Sequence, residues 1–182
     1  MFESTSTDQP VKTLDFDSKS NINEALLAVK HVKSLLMSGC KPQDIAIISP
    51  YSAQIAALRS LVPRSLISLP LKDGTMKEVD LSLTEIGTVD SFQGREKEAI
   101  LLTLVRSNEE GKVGFLAEKR RLNVAMTRAK RQCVIIGDST TLKRAQGASK
   151  DEATFLSKWI DYLEDEERCE VRYPDLEDAT GF

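Results

Sequence analysis

The chain has 182 residues, 41% of them apolar and 29% charged, the balance of a soluble globular domain with a substantial core. Its formal net charge of −3 excludes a polycation, so nucleic-acid contact has to come from a local patch. Three widely spaced cysteines (Cys40, Cys133, Cys169) and a lone histidine, His31, argue against a disulfide framework, a disulfide-linked partner and metal catalysis built from His and Cys. No run approaches the ~20 apolar residues of a membrane span, and the expectation is an intracellular chain.

In chain order, residues 1–10 are polar and aperiodic and read as a disordered lead-in. Val11 to Phe16 alternates apolar and polar residues, a strand pattern. Asn21 and Glu24 have the spacing of a helix start with a capping box, and Ala25, Leu26, Val29, Val32 and Leu36 continue it as a helix ending at Gly39. IAIIS (45–49) is a short buried strand, followed by Pro50, Tyr51 and a helix carrying Ile55, Leu58 and Leu61. That alternation belongs to a parallel sheet with helical crossovers. Residues 63–83 break it, and Asp73-Gly74 between LISLPL and MKEVDLSL marks a hairpin-like excursion. The core resumes with a strand at Ile86 to Val89, a loop at Gln93 to Lys97 and a buried strand at Ala99 to Val105. A helix over Glu118 to Lys130, a strand at CVIIG (133–137) and an amphipathic helix over Asp151 to Leu163, with Phe155, Trp159 and Leu163 on one stripe, complete the domain at about residue 165. Residues 166–182 form a tail with no motif.

The chemistry concentrates between residues 86 and 138. On the helix over 118–130, Leu122, Ala125, Met126 and Ala129 form the buried stripe. Arg121 and Arg128, seven residues apart, flank it along one line, while Asn123, Thr127 and Lys130 lie opposite. An arginine at the margin of a buried face suits phosphate oxygens; a solvated basic face is the other reading. Gln93-Gly94-Arg95-Glu96 follows an apolar strand, which places it at the carboxyl edge of the sheet, where open α/β folds bind ligands. Gly94 permits close backbone approach and Glu96 can accept from a sugar hydroxyl; a plain polar turn is the alternative. Tyr51, at a strand end, can stack on a base or serve as a core-edge aromatic. No GxxxxGK[ST] segment and no Walker-B-type acid occur, so a nucleotide site here is half a site.

VDSFQGREKEAILLTLVRSN and RRLNVAMTRAKRQCVIIGD resemble motifs V and VI of the Upf1-like group of superfamily 1 helicases, and IAIISPYSAQ resembles motif IV. Within that group the likeness is to the immunoglobulin-mu-binding-protein 2 and DNA polymerase alpha-associated helicase A type. The resemblance implies a three-layer α/β RecA-like domain of the P-loop NTPase fold, the second of two in a motor, lacking its own Walker A. It implies ATP with Mg as cofactor, the metal ligands coming from the first RecA-like domain of the same protein. Single-stranded DNA or RNA is the implied partner, with 5′ to 3′ polarity and a nuclear or cytoplasmic location. By resemblance, Arg128 is the arginine finger; Tyr51 stacks on adenine, Glu96 binds the ribose, Arg121 supports the phosphates, and Gln93 and Gly94 line the cleft. Ser49, Thr88, Ser91 and Asn123 are the implied nucleic-acid contacts. A non-catalytic nucleic-acid- or protein-binding module on the same fold is the competing expectation.

Overall fold

The computed structural model describes residues 18–62, 66–70, 73–146 and 148–172. The lead-in, the strand expected at Val11 to Phe16 and the tail beyond Arg172 lie outside the described residues.

Four parallel strands form the centre: β1 (Ile45–Ser49), β4 (Glu85–Thr88), β5 (Lys97–Thr103) and β6 (Ala129–Ile136), in the spatial order β4-β1-β5-β6. Period-two alternation sends successive side chains to opposite faces. Ile45, Ile47, Ala99 and Leu101 pack on one side with Ala25, Ala28, Val32, Leu36 and Leu58 of helices α1 (Ile22–Met37) and α2 (Ser52–Leu61). Ala46, Ile48, Ile100 and Leu102 pack on the other with Leu122 and Ala125 of α3 (Lys119–Met126), Leu142 of α4 (Ser139–Arg144), and Leu156, Trp159 and Ile160 of α5 (Lys150–Leu163). Both faces are covered, which is why β1 and the last five residues of β5 are buried at every position. The molecule is a three-layer α/β domain with a parallel central sheet flanked by helices, the architecture of a RecA-like domain.

Residues 66–80 form an antiparallel hairpin of β2 (Leu66–Pro70) and β3 (Met76–Asp80). Asp73 accepts from the Thr75 backbone N–H and hydroxyl across the turn, and Leu69 and Val79 seat the hairpin on the α1/α2 side of the core.

Three sequence expectations shift. The helix expected over 118–130 ends at Met126, because Ala129 is already in β6, paired with Lys97 of β5. Arg128 therefore sits in the turn between α3 and β6, not on the helix with Arg121. The strand expected at Ala99 to Val105 runs from Lys97 to Thr103, and the chain turns sharply at Val105. The capping box at Asn21 is half formed: Asn21 accepts from the Glu24 N–H at 3.2 Å, but the Glu24 carboxylate reaches 81 residues along the chain to the Val105 N–H. A complete capping box, unread in the sequence, starts α5 at Ser149 and Glu152.

Candidate functional site

The candidate residues divide between the two edges of the sheet. Because β5 runs parallel to β4, the chain leaving β4 has to return to the amino edge before β5 begins. It does so through a 3-10 turn at Asp90–Phe92, with Val89 and Phe92 buried against Ala46, Ile48 and Leu102. Gln93 and Gly94 lie on this descent, Gly94 at φ +76°, a backbone conformation that disfavours a side chain. Arg95 and Glu96 reach the amino edge, where Arg95 and Lys97 both pair with Glu85, the first residue of β4, and Lys97 donates to the Gln43 carbonyl at 2.6 Å. The expected carboxyl-edge position of Gln93 to Glu96 is thus corrected, since the loop ends at the opposite edge from where it starts.

Arg128 is the neighbour of Glu96 there. The Lys97 N–H donates to the Arg128 carbonyl at 3.0 Å. The half-buried Arg128 guanidinium folds over the end of α3, its Nε donating to the Val124 carbonyl and its Nη2 to the Thr127 hydroxyl, both at 3.1 Å. No carboxylate among the described residues pairs with Arg128, and no cation pairs with the exposed Glu96. Along the outer face of α3 runs an open depression of about 460 Å³ lined by Lys119, Arg120, Asn123, Val124 and Thr127. Asn123 is exposed in it, and the depression holds no acid.

At the carboxyl edge the structure brings together Ser49, Tyr51, Thr88, Ser91 and Arg121. Thr88 pairs with Ser49 in the β4–β1 ladder, and the Ser91 hydroxyl donates to the Thr88 carbonyl at 2.7 Å. Ser49 is fully buried, its hydroxyl donating to the Thr103 carbonyl at 3.2 Å, so a ligand cannot reach it without rearrangement. Tyr51 is only 3% exposed, its hydroxyl donates to the Val113 carbonyl, and its ring meets Phe115 edge-on at 5.8 Å. It sits here as a core-edge aromatic. Gly114, at φ +53°, keeps that contact open, since a Cβ would stand 3.1 Å from the tyrosine oxygen. Arg121 lies over the Phe115 ring and pairs with Glu118 at 3.2 Å and Asp90 at 3.7 Å. Tyr51 and Arg121 therefore do not share an edge with Arg128 and Glu96.

The carboxyl edge also holds two features the sequence reading missed. The Arg106 N–H donates to the Leu104 carbonyl at 2.8 Å across Val105, whose φ is +72°. That is a γ-turn of the rare, strained kind, costing of order 1–3 kcal/mol for a β-branched residue. It is held by a buried polar knot. Glu24 accepts from the Val105 N–H at 2.8 Å, Asn21 bridges the Glu24 carboxylate and the Val105 carbonyl, and Gln54 exchanges two hydrogen bonds with the Asn21 backbone. Burial pushes the Glu24 carboxyl up to about 8, and the Asp138 charge adds to the rise, against hydrogen bonds from the Val105 and Leu104 backbone. No local spacing signals this link.

His31 is half-buried on α1 with its Nε2 unpartnered, and burial lowers its pKa, which keeps the ring neutral in a packing role. Among the described residues no cluster of three His, Cys, Asp or Glu side chains could hold a metal, and no helix is long and apolar enough to cross a membrane. The donors at the amino edge, a free carboxylate and a guanidinium, fit the hydroxyl and phosphate groups of a nucleotide.

The family described as AAA domain matches residues 1–140. The chain is 46% identical over 149 residues to "DNA polymerase alpha-associated DNA helicase A" of Schizosaccharomyces pombe, covering 82% of this chain and 19% of that protein. It is 40% identical over 166 residues to "DNA-binding protein SMUBP-2" of Mus musculus, covering 91% and 14%. It is 43% identical over 122 residues to "Regulator of nonsense transcripts 1 homolog" of Neurospora crassa, covering 67% and 10%. The chain thus spans a fifth or less of the length of these relatives.

Proposed function

Since the chain belongs to the AAA domain family, in its Upf1-like superfamily 1 helicase C-terminal region, we propose that it is the second RecA-like domain of an ATP-dependent motor acting on single-stranded nucleic acid. Bound ATP, with a magnesium ion held by the first RecA-like domain, supplies the phosphoryl group whose transfer to water drives the motor. Arg128 is the arginine finger, releasing its hydrogen bonds to α3 to meet charge developing on the transferring group. Glu96 accepts from the ribose hydroxyls, and Gln93 and Gly94 line the approach. Thr88, Ser91 and Asn123 contact the nucleic-acid backbone. Translocation runs 5′ to 3′ by family resemblance, and the whole protein works in the nucleus or cytoplasm.

The observation that carries this reading is the backbone hydrogen bond from Lys97 to Arg128, which makes the acid after the glycine and the arginine after the helix neighbours on an edge without a partner. An edge that displays a carboxylate without a cation and an arginine without a carboxylate, among the described residues, is chemically half a nucleotide site. With no Walker A or Walker B in its own sequence, the chain alone does not turn over ATP. The test joins it to its native upstream half and measures ATPase with and without single-stranded DNA or RNA. Arg128→Ala abolishes most turnover while ATP still binds. Near-full turnover of Arg128→Ala, or normal ATPase from the 182-residue chain alone, overturns the reading.

A further inference from the structure

At the carboxyl edge, Tyr51, Arg106, Gly114, Phe115 and Glu118 line a cavity of about 210 Å³. That is smaller than the pockets of roughly 300 Å³ and more that take whole small ligands, and it admits one flat ring. Tyr51 forms its buried wall. Phe115 forms its outer wall and, at 41% exposure, is a large aromatic facing solvent.

Arg106 stands at the rim on an unusual mount. The strained turn at Val105 sets its backbone, and its Nε donates to the Lys112 carbonyl at 2.8 Å, fixing the guanidinium. Lys112 is itself clamped, its N–H donating to the Asn108 side chain and its carbonyl accepting from it. The two terminal nitrogens of Arg106 have no hydrogen-bond or ion-pair partner among the described residues. A rigid fork with its two outer donors unspent matches a phosphate oxygen pair. Backbone strain stabilised by a dedicated buried knot is the pattern of a site the fold keeps for use.

We infer that Arg106 anchors a phosphate of the single strand and that the neighbouring base enters the cup against Phe115. This rests on the motor reading for the identity of the ligand, and it adds to that reading two residues that no motif assigned. A phosphate and a base one nucleotide apart also occur in ATP. The cup, however, lies at the end of α3 remote from Arg128 and Glu96, so it serves the strand and not the fuel. Glu24, Asn21 and Val105 act through Arg106 as positioning residues.

The test titrates the 182-residue chain into fluorescein-labelled dT15 and U15 and follows anisotropy from 50 to 200 mM salt. Arg106→Gln weakens binding about fivefold and lowers the slope of log affinity against log salt by about 0.7, the signature of one lost phosphate contact on a single strand. Arg106→Lys keeps the slope, because the charge remains, while losing a part of the affinity. Phe115→Leu weakens binding about fivefold with the slope unchanged, and Phe115→Tyr restores it. The inference is overturned by an unchanged slope in Arg106→Gln, by full affinity in Phe115→Leu, by failure of the wild-type chain to bind either strand at 50 mM salt, or by displacement of the strand by millimolar ATP. These outcomes are separable from the ATPase test, because neither side chain lies at the amino edge.

Discussion

At the carboxyl edge of the sheet the polar side chains are largely committed to partners within the chain: Ser49 to the Thr103 carbonyl, Tyr51 to the Val113 carbonyl, Glu24 to the Val105 N–H, and Arg121 to the Glu118 and Asp90 carboxylates. At the amino edge the proposed pair is not: among the described residues Glu96 is exposed without a cation, and the Arg128 guanidinium bonds only to the end of its own helix. The same sheet thus carries one edge whose polar groups are largely held in place within the chain and one whose proposed pair lacks charge partners among the described residues. The difference teaches where to look for each activity. A pre-organised edge suits a ligand whose contacts are made within one lobe, such as a strand backbone. An incomplete edge suits chemistry that has to be switched on when a second lobe closes.

The largest effect that could break this comparison is at Arg128. In the joined motor, Arg128→Ala is expected to lower kcat by about 10³-fold or more, while the isolated chain loses only two helix-end hydrogen bonds, about 1–2 kcal/mol together. Turnover and thermal melting, measured side by side, check the pair. Second is Phe92, 1% exposed, which seats the crossover that carries Gln93 to Glu96 from one edge to the other. Phe92→Ala is expected to cost about 3–5 kcal/mol in urea unfolding. A cost below 1 kcal/mol would show that the crossover is not held by the core, and the division between edges would lose its structural cause.

Much of the architecture was legible from local pattern. The apolar runs at 45–49 and 97–103, the Asp73-Gly74 turn and the Asn21 cap rest on propensities acting over a few residues. What local pattern hid is equally specific. The periodicity of RRLNVAMTRAK continues past Met126, so nothing in it says that the helix stops there and β6 begins at Ala129. Gln93 follows a strand, but that Glu96 finishes at the opposite edge depends on β5 being parallel to β4, a tertiary fact. The Glu24–Val105 link joins residues 81 apart, and no spacing rule sees across that distance. The resemblance grouped Tyr51 and Arg121 with Arg128; in the fold Tyr51 follows β1, Arg121 lies in the first turn of α3, and Arg128 lies beyond the end of α3.

A third prediction compares the edges through pH. The Glu24 carboxyl is raised from 4.5 to about 8 in the folded chain, so the native state holds a proton that the unfolded chain has released between those values. Stability from this group is full below about pH 4.5 and falls as pH rises toward 8, at up to roughly 1.4 kcal/mol per pH unit. Wild type is expected to lose about 2 kcal/mol between pH 5.5 and 7 from this source. Glu24→Gln keeps the shape and an acceptor for Val105 and removes the dependence. Identical slopes for the two proteins in urea titrations at each pH would show that the knot is not a buried carboxyl.

The smallest effect sharpens the comparison most, because it uses the same chemical change at the other edge. Glu96→Gln also trades a carboxylate for an amide, but at an exposed position where no described residue pairs with it. Removing such a surface charge leaves stability within about 0.5 kcal/mol. In the joined motor the substitution weakens one charge-assisted hydrogen bond to a hydroxyl, raising KM for ATP roughly three- to tenfold with little change in kcat. A contact to the ribose also predicts that 2′-deoxy-ATP loses the difference, so wild type and Glu96→Gln should show similar KM values for the deoxynucleotide. Should the variant instead melt several degrees lower with KM unchanged, Glu96 serves the fold, and the amino edge is as self-contained as the carboxyl edge.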